Sequence, residues 1–348
     1  MKTTAKPTQR KRDPSGPSRA TLVEVAEAAG VSASTVSRIL NGTARVSSDK
    51  RKAVEKAIAD LNFTPNVLAQ SLKRGQSMTI GVVTPALDSP FFNETLKGIE
   101  AGLAGSGYAA LIVSGHWNPE EEAERVALLM ARKVDGIIMV SGNIPDDQIV
   151  RFSEQVPIVA TGHGCEADNA RAIRVDNVWG GYRATRHLIE LGHRQIAHIA
   201  GMPNLQDAND RLVGYKHALE DARIPFDEAL VVQGDFRESG GMLCANQLLD
   251  RGVPFSAVFA ANDQTAYGAR LAFYRRGIRV PEDISLIGFD DLPGSLYTTP
   301  PLTTMRQPVY EIGHMAAGAV LGLITNKPFK LEQPQVELMI RETTRRLR

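Results

Sequence analysis

Apolar residues recur along this chain in two rhythms, and the change between them falls near residue 78. Before it the spacing is helical. Leu22, Val25, Ala26 and Ala29 stand three or four apart, followed by Val36 and Ile39–Leu40, then by Val54, Ala57, Ile58 and Leu61. Three short helices are predicted, each with one inward stripe. Gly30 supplies the left-handed residue that ends the first. Ser32 and Ser47 are placed to N-cap the second and third, and Asn62-Phe63-Thr64-Pro65 stops the last. On the second helix Ala33, Ser34, Thr35, Ser37 and Arg38 are left pointing outward. A helix, a tight turn and a polar-faced helix make a helix-turn-helix, whose second helix enters a DNA major groove. The plain alternative is an αα-hairpin with a solvated face.

After residue 78 the apolar residues come in short continuous runs: MTIGVVT (78–84), YAALIVS (108–114), DGIIMVS (135–141), PIVAT (157–161), QIAHIAG (195–201), LVV (230–232), AVFAA (257–261) and ISLIGFD (284–290). Amphipathic stretches separate most of them. Runs of this kind read as parallel strands buried on both faces by helices, and a break near residue 178 predicts two doubly wound α/β lobes with a cleft between. Between the two halves, Asn66 to Gly75 is helix-competent for barely two turns. It is either a linker or a segment that folds on its partner.

Charge sharpens the division. Residues 1–77 hold 14 Lys/Arg against 6 Asp/Glu, a net of +8, while the remainder holds 26 against 33, a net of −7. A basic head on an acidic body suits a phosphate-binding module attached to a sensor. Lys2 to Arg19, rich in Pro, Ser and basic residues, is expected to be a disordered tail. Cys165 and Cys244 stand far apart without metal-ligand spacing, there is no membrane-length apolar run, and no export signal opens the chain. A reducing cytoplasm is therefore expected, with no membrane, metal or cofactor. His187, His193 and His198 have poor geometry for a metal and read as structural. The glycine pattern at 105–110 precedes its strand, and that at 162–167 leads into no helix of useful length, so neither is a dinucleotide fingerprint.

The motifs resemble the lactose/galactose repressor family of bacterial transcription regulators, from about residue 20 to the end. VAEAAGVSASTVSRILNG, VSSDKR and LNFTPNVLAQSL carry the likeness in the head. DSPFF, DGIIM, RATRHLIELGHRQIAHIAG, RLVGYKHAL, GDFRESGG, AANDQTAYGA, VPEDISLIGFDD and PPLTTMRQP carry it in the body. The galactose-repressor branch looks most similar. The resemblance implies an all-α helix-turn-helix head (20–63), a hinge (64–77) and a periplasmic-binding-protein-like sensor (78–348). Lobe 1 of that sensor would hold about 78–177 and 306–325, and lobe 2 about 178–305 and 326–348.

It also implies roles. Ala33, Ser34 and Arg38 match base-reading positions, Arg38 by two parallel hydrogen bonds to guanine. Thr35, Ser37, Asn41 and Ser47 would hold phosphates, and Leu72 would wedge into the minor groove. In the sensor, Arg211, Asn262 and Asp290 would bind sugar hydroxyls and Phe236 would stack on the sugar's C–H face. Phe91, Asp88 and His163 would line the first lobe's side. Each has a structural alternative: Asp263 capping a helix, Asp290 and Asp291 closing a turn, Phe91–Phe92 as core. The expected partners are a pseudo-palindromic operator duplex, a sugar effector and a second copy of the chain, a dimer being favoured because no heptad segment follows Arg348. A sugar-binding transport or receptor protein would explain the body without the head. An enzyme reading lacks a phosphate loop or a nucleophile–base pair.

Overall fold

Thr21 opens the first helix with a reciprocal cap: its hydroxyl accepts from the Glu24 N–H, and Glu24 Oε2 accepts from the Thr21 N–H at 2.6 Å. The computed structural model describes residues 20–40, 46–64 and 75–347, so the tail, Asn41, Leu72 and most of the hinge lie outside the described residues. The chain divides into two units, Met1–Ser77 and Met78–Arg348.

In the first unit, α1 (Leu22–Ala28), α2 (Ala33–Leu40) and α3 (Ser48–Asp60) surround Val25, Ala26, Val36, Ile39, Val54 and Ala57. Gly30 adopts φ +63° at the turn, and Ser32 Oγ accepts from the Thr35 N–H at 3.2 Å to start α2. One expected core residue is misplaced. Leu61 is the C-cap of α3 and 38% exposed, whereas Phe63 is buried, because Asn62 at φ +46° turns the chain back beneath the helices.

The second unit holds two sheets. The first takes β1 (Thr79–Thr84), β2 (Ala109–Ser114), β3 (Gly136–Val140), β4 (Ile158–Thr161) and β5 (Ala170–Ile173) in the order β2-β1-β3-β4-β5, all parallel. The second takes β6 (Ile196–Ala200), β7 (Val231–Gln233), β8 (Ala257–Ala260), β9 (Ser285–Asp290), β10 (Thr303–Arg306) and β11 (Glu337–Met339) in the order β11-β10-β9-β8-β6-β7, with only β11 antiparallel. Helices α4 (Pro90–Leu103), α5 (Pro119–Ala131) and α6 (Asp146–Ser153) accompany the first sheet. Helices α7 (Asn177–Glu190), α8 (Gln206–Asp221), α9 (Glu238–Asp250) and α10 (Asp263–Arg275) accompany the second. The last, α11 (Val309–Thr325), returns to the first sheet and puts Ile312, Ala316 and Val320 into its core. The chain thus crosses between sheets after β5, after β10 and after α11. Among the described residues, no helix is long and apolar enough to cross a membrane.

The eight apolar runs mark β1–β4 and β6–β9, while β5, β10 and β11 lie outside them; β2 was expected to be covered on both faces and is not. It is an edge strand with Ala109, Ala110 and Ile112 exposed, since only β1 flanks it. Helix pairs pack backbone to backbone through glycine. A Cβ at Gly181 of α7 would lie 2.3 Å from the Arg211 carbonyl oxygen, and one at Gly214 of α8 would lie 2.1 Å from that of Val178. This close crossing sets the position of α8 and so of Arg211.

Candidate functional site

In open parallel sheets, ligands bind beyond the carboxyl ends of the strands. Here the loops after β1, β3 and β4 face those after β6, β7, β8 and β9 across a cleft of about 730 Å³. Asp88, Phe91, His163, Arg211, Phe236, Asn262 and Asp290 all line it.

Arg211 is its buried centre. The second turn of α8 delivers the guanidinium to the face of the Phe289 ring, 3.8 Å from its centroid. Nε donates to Asn177 Oδ1 at 2.9 Å and Nη1 to the Ala261 carbonyl at 2.6 Å, and Asp290 Oδ1 lies 3.9 Å from Nη1. Among the described residues Nη2 makes no hydrogen bond. Asp290 Oδ1 accepts from Gln307 Nε2 at 2.7 Å, and Oδ2 makes no bond among the described residues. N–H groups of Arg211 and one carboxyl oxygen of Asp290 are therefore left without a protein partner among the described residues, in the cleft that both line, and these are groups that sugar hydroxyls bind. Asp290 is held at φ +112° and Phe236 at φ +65°, left-handed conformations that L side chains rarely adopt and that cost about 1–3 kcal/mol each. The Phe236 ring lies so near Gly201 that a Cβ there would be 2.1 Å from it.

Asn262 is more committed than expected. Its Oδ1 caps α10 through the Thr265 N–H, and its Nδ2 donates to the Phe236 carbonyl at 3.0 Å, leaving one N–H. Asp263, whose plain reading was a helix cap, instead accepts from the Leu292 N–H, Ser295 Oγ and Thr304 Oγ1. His163 pairs Nδ1 with Asp146 Oδ1 at 2.9 Å. Asp146 Oδ2 accepts from the Gly164 N–H at 2.9 Å, so the carboxyl ties the His163 ring to the backbone of the same loop. His163 Nε2 is buried with no partner among the described residues. Asp88 is exposed on the rim, and Phe91 is half-buried edge-on to Phe92.

Two members of the cleft network escaped notice in the sequence. Asn177 opens α7 and joins Arg211 to Asp207, donating to Asp207 Oδ1 at 2.9 Å. Asp207 precedes Arg211 by four residues on α8, a spacing that puts both on one helical face and is a legible signal. The three histidines have protein partners: His187 with Thr344, His193 with Ser256 and the Arg345 carbonyl, and His198 with the Phe259 carbonyl.

Burial pushes Asp290 up to about 7, against the pull of Arg211, and Asp263 up to about 8 with Asp290 adding to the rise; Asp207 is raised too. Burial lowers His187, His193 and His198, the last to about 4. The raised carboxyls keep protons that the unfolded chain loses near pH 4, so their contribution falls as pH rises towards 7–8. The lowered histidines are neutral when folded and charged when unfolded, so theirs rises with pH up to about 6.5. The two oppose each other below 6.5, and above it only the carboxyls act. The histidines should soften the fall of the thermal midpoint between pH 5 and 6.5, and from pH 6.5 to 8.5 it should fall by several degrees as about 2–3 kcal/mol is lost. Differential scanning fluorimetry at constant ionic strength measures it, and a rising midpoint above pH 6.5 would contradict this assignment.

In the head, Ser34 and Arg38 are exposed one turn apart on α2, while Ala33, Thr35 and Ser37 are half-buried. Ser34 Oγ and Thr35 Oγ1 each lie 2.9 Å from Ser32 Oγ. Ser47, at the N-cap of α3, is exposed and makes no cap hydrogen bond with its side chain.

Residues 21–66 match the profile of bacterial regulatory proteins of the lacI family, and residues 77–342 match that of periplasmic binding proteins and the sugar-binding domain of the LacI family. The chain belongs to the LacI family. It is a DNA-binding transcription regulator with an effector-binding sensor domain, and not an enzyme. Relatives of this LacI-family chain include the HTH-type transcriptional regulator DegA of Bacillus subtilis (strain 168), 38% identical over 86% of this chain and 91% of DegA. The ribose operon repressor of Haemophilus influenzae is 35% identical over 88% of this chain and 92% of its own length. Among solved structures, the lac repressor dimer bound to operator and the anti-inducer ONPF superposes with a TM-score of 0.85 at 32% identity, covering 94% of this chain and 99% of that one. The transcriptional regulator CelR–cellobiose complex gives 0.69 at 34% identity, covering 93% and 100%. These relatives lend no specific support to a galactose-repressor branch.

Proposed function

We propose that the chain is a homodimeric repressor of carbohydrate-utilisation genes whose operator affinity is switched by a sugar or sugar derivative held in the cleft. Residues 20–63 read the operator, residues 64–77 form the hinge with Leu72 as its wedge, and the two lobes close on the effector. Lobe 1 takes about 78–177 and 306–325, and lobe 2 about 178–305 and 326–348. The observation that carries the reading is the pairing of open hydroxyl partners on Arg211 and Asp290 with the Phe236 face, in one cleft. The operator-bound lac repressor dimer and the cellobiose complex among its structural neighbours agree with it. Ligand and operator affinities must then be linked reciprocally, by about 1–3 kcal/mol and with either sign. Thermal-shift screening of sugars and sugar phosphates, followed by gel shifts with each hit, tests it. A hit that leaves operator affinity unchanged, or no hit at all, would sink the reading.

A further inference from the structure

The sugar partners described so far stand on the second lobe, yet the cleft extends well past them. Its volume of about 730 Å³ lies in the upper part of the roughly 300–1,000 Å³ span of small-molecule pockets. Its first-lobe wall is an aromatic shelf. Phe91 meets Phe92 at 5.2 Å between centroids, and Phe92 meets the half-buried Trp117 at 5.6 Å. We propose that this shelf, with Trp117 as its stacking surface, is a second ring subsite, and that the effector is a disaccharide spanning the two lobes. The inference rests on the sugar reading above and adds the size of the sugar.

The backbone supports a placed Trp117. His116 and Trp117 take consecutive left-handed conformations, φ 52° and 60°, and the second is one that a bulky Trp rarely adopts. The surroundings hold them there. Asn143 Nδ2 donates to the Trp117 carbonyl at 2.7 Å, and Glu122 Oε2 accepts from the Asn143 and Ile144 N–H groups at 2.8 Å each. Phe236 on the facing lobe stands at φ 65°. Each lobe thus offers one aromatic residue on a left-handed backbone, and strain of this kind collects where geometry serves a ligand. A single pyranose covers one such face with its C–H surface. Two linked rings engage both.

A polar group waits on the same side. His163 Nε2 is buried against the cleft with no partner among the described residues, while Nδ1 is fixed by Asp146. A hydroxyl of the second ring would satisfy it as donor or acceptor.

The test uses the full chain. Trp117 and Trp179 are its two tryptophans, and Trp179 is 47% exposed on α7 and outside the cleft, so Trp179→Phe leaves Trp117 as the only tryptophan, excited selectively over the tyrosines. Cellobiose, maltose and lactose are titrated beside glucose and galactose. We expect one disaccharide to bind at least about tenfold more tightly than its monosaccharides and to shift the Trp117 emission. Trp117→Ala should lose about tenfold for that disaccharide and leave monosaccharide affinity unchanged, while Trp117→Phe keeps most of it. A residue that only roofs Phe92 would move neither ratio nor emission. A monosaccharide that binds as tightly as every disaccharide, or emission unmoved at saturation, overturns the second subsite and leaves the sugar reading standing. If no saccharide binds, both fall. Should Trp117→Ala fail to fold, the emission and Trp117→Phe decide.

Discussion

Arg211→Ala is expected to lower effector affinity by about 30-fold or more and to cost about 3–5 kcal/mol of stability. The side chain is buried beneath the cleft, so truncation strips partners from Asn177 Oδ1 and the Ala261 carbonyl and leaves Asp290 and Asp207 without their nearby cation. The carboxyls have a partial escape. Burial already holds Asp290 near 7, and removing the guanidinium pushes it higher, so at pH 6 the proton replaces the lost charge. The stability deficit of Arg211→Ala should therefore be smaller at pH 6 than at pH 8, although the effector deficit persists. Arg211→Lys keeps a charge but not the fork that meets Asn177 and Ala261 together, and should fold better without recovering affinity. Calorimetric titration with the effector and urea unfolding at the two pH values measure both. Operator binding by either variant should survive and no longer respond to effector. An effector affinity within threefold of the parent would remove Arg211 from the site.

The residues proposed for this cleft are named by resemblance, and the topology explains why they meet there. Parallel strands end at one edge of each sheet, so residues just after apolar runs, such as Phe236 after LVV and Asp290 at the end of ISLIGFD, must meet at the cleft. What escaped depends on neighbours that local pattern does not name. Trp117 owes its place to two left-handed residues and an Asn143 bond from 26 positions away. Asn177 looks like an ordinary helix opening until Arg211 arrives from α8. The run at 108–114 marks a strand but says nothing of its being at an edge, and the β10–β11 pair, with two Thr and an Arg in β10, carries too little apolar signal to stand out. Leu61 and Phe63 exchange roles through one residue, Asn62, whose positive φ is invisible to a helical stripe.

Arg38→Ala is expected to erase the preference for operator over random duplex while leaving effector affinity intact. The exposed face of α2 is small or hydroxylic apart from Arg38, and the hydroxyls of Ser34 and Thr35 already lie within hydrogen-bond distance of Ser32. Ala33 offers at most an apolar contact to a thymine methyl. If α2 reads the operator, discrimination should rest mainly on Arg38, where a bidentate contact to guanine would contribute about 1–3 kcal/mol. A dimer reading two half-sites would lose about twice that, or roughly 30-fold upward in specificity. Arg51→Ala provides the contrast, since Arg51 is exposed in the first turn of α3, where a basic side chain is expected to meet phosphates rather than base edges. Its loss should weaken binding to every duplex alike and flatten the salt dependence by about one unit of slope. Competition gel shifts at two salt concentrations separate the cases. If Arg38→Ala behaves as Arg51→Ala does, Arg38 holds a phosphate, and the operator is chosen by DNA deformability at the hinge rather than by the face of α2.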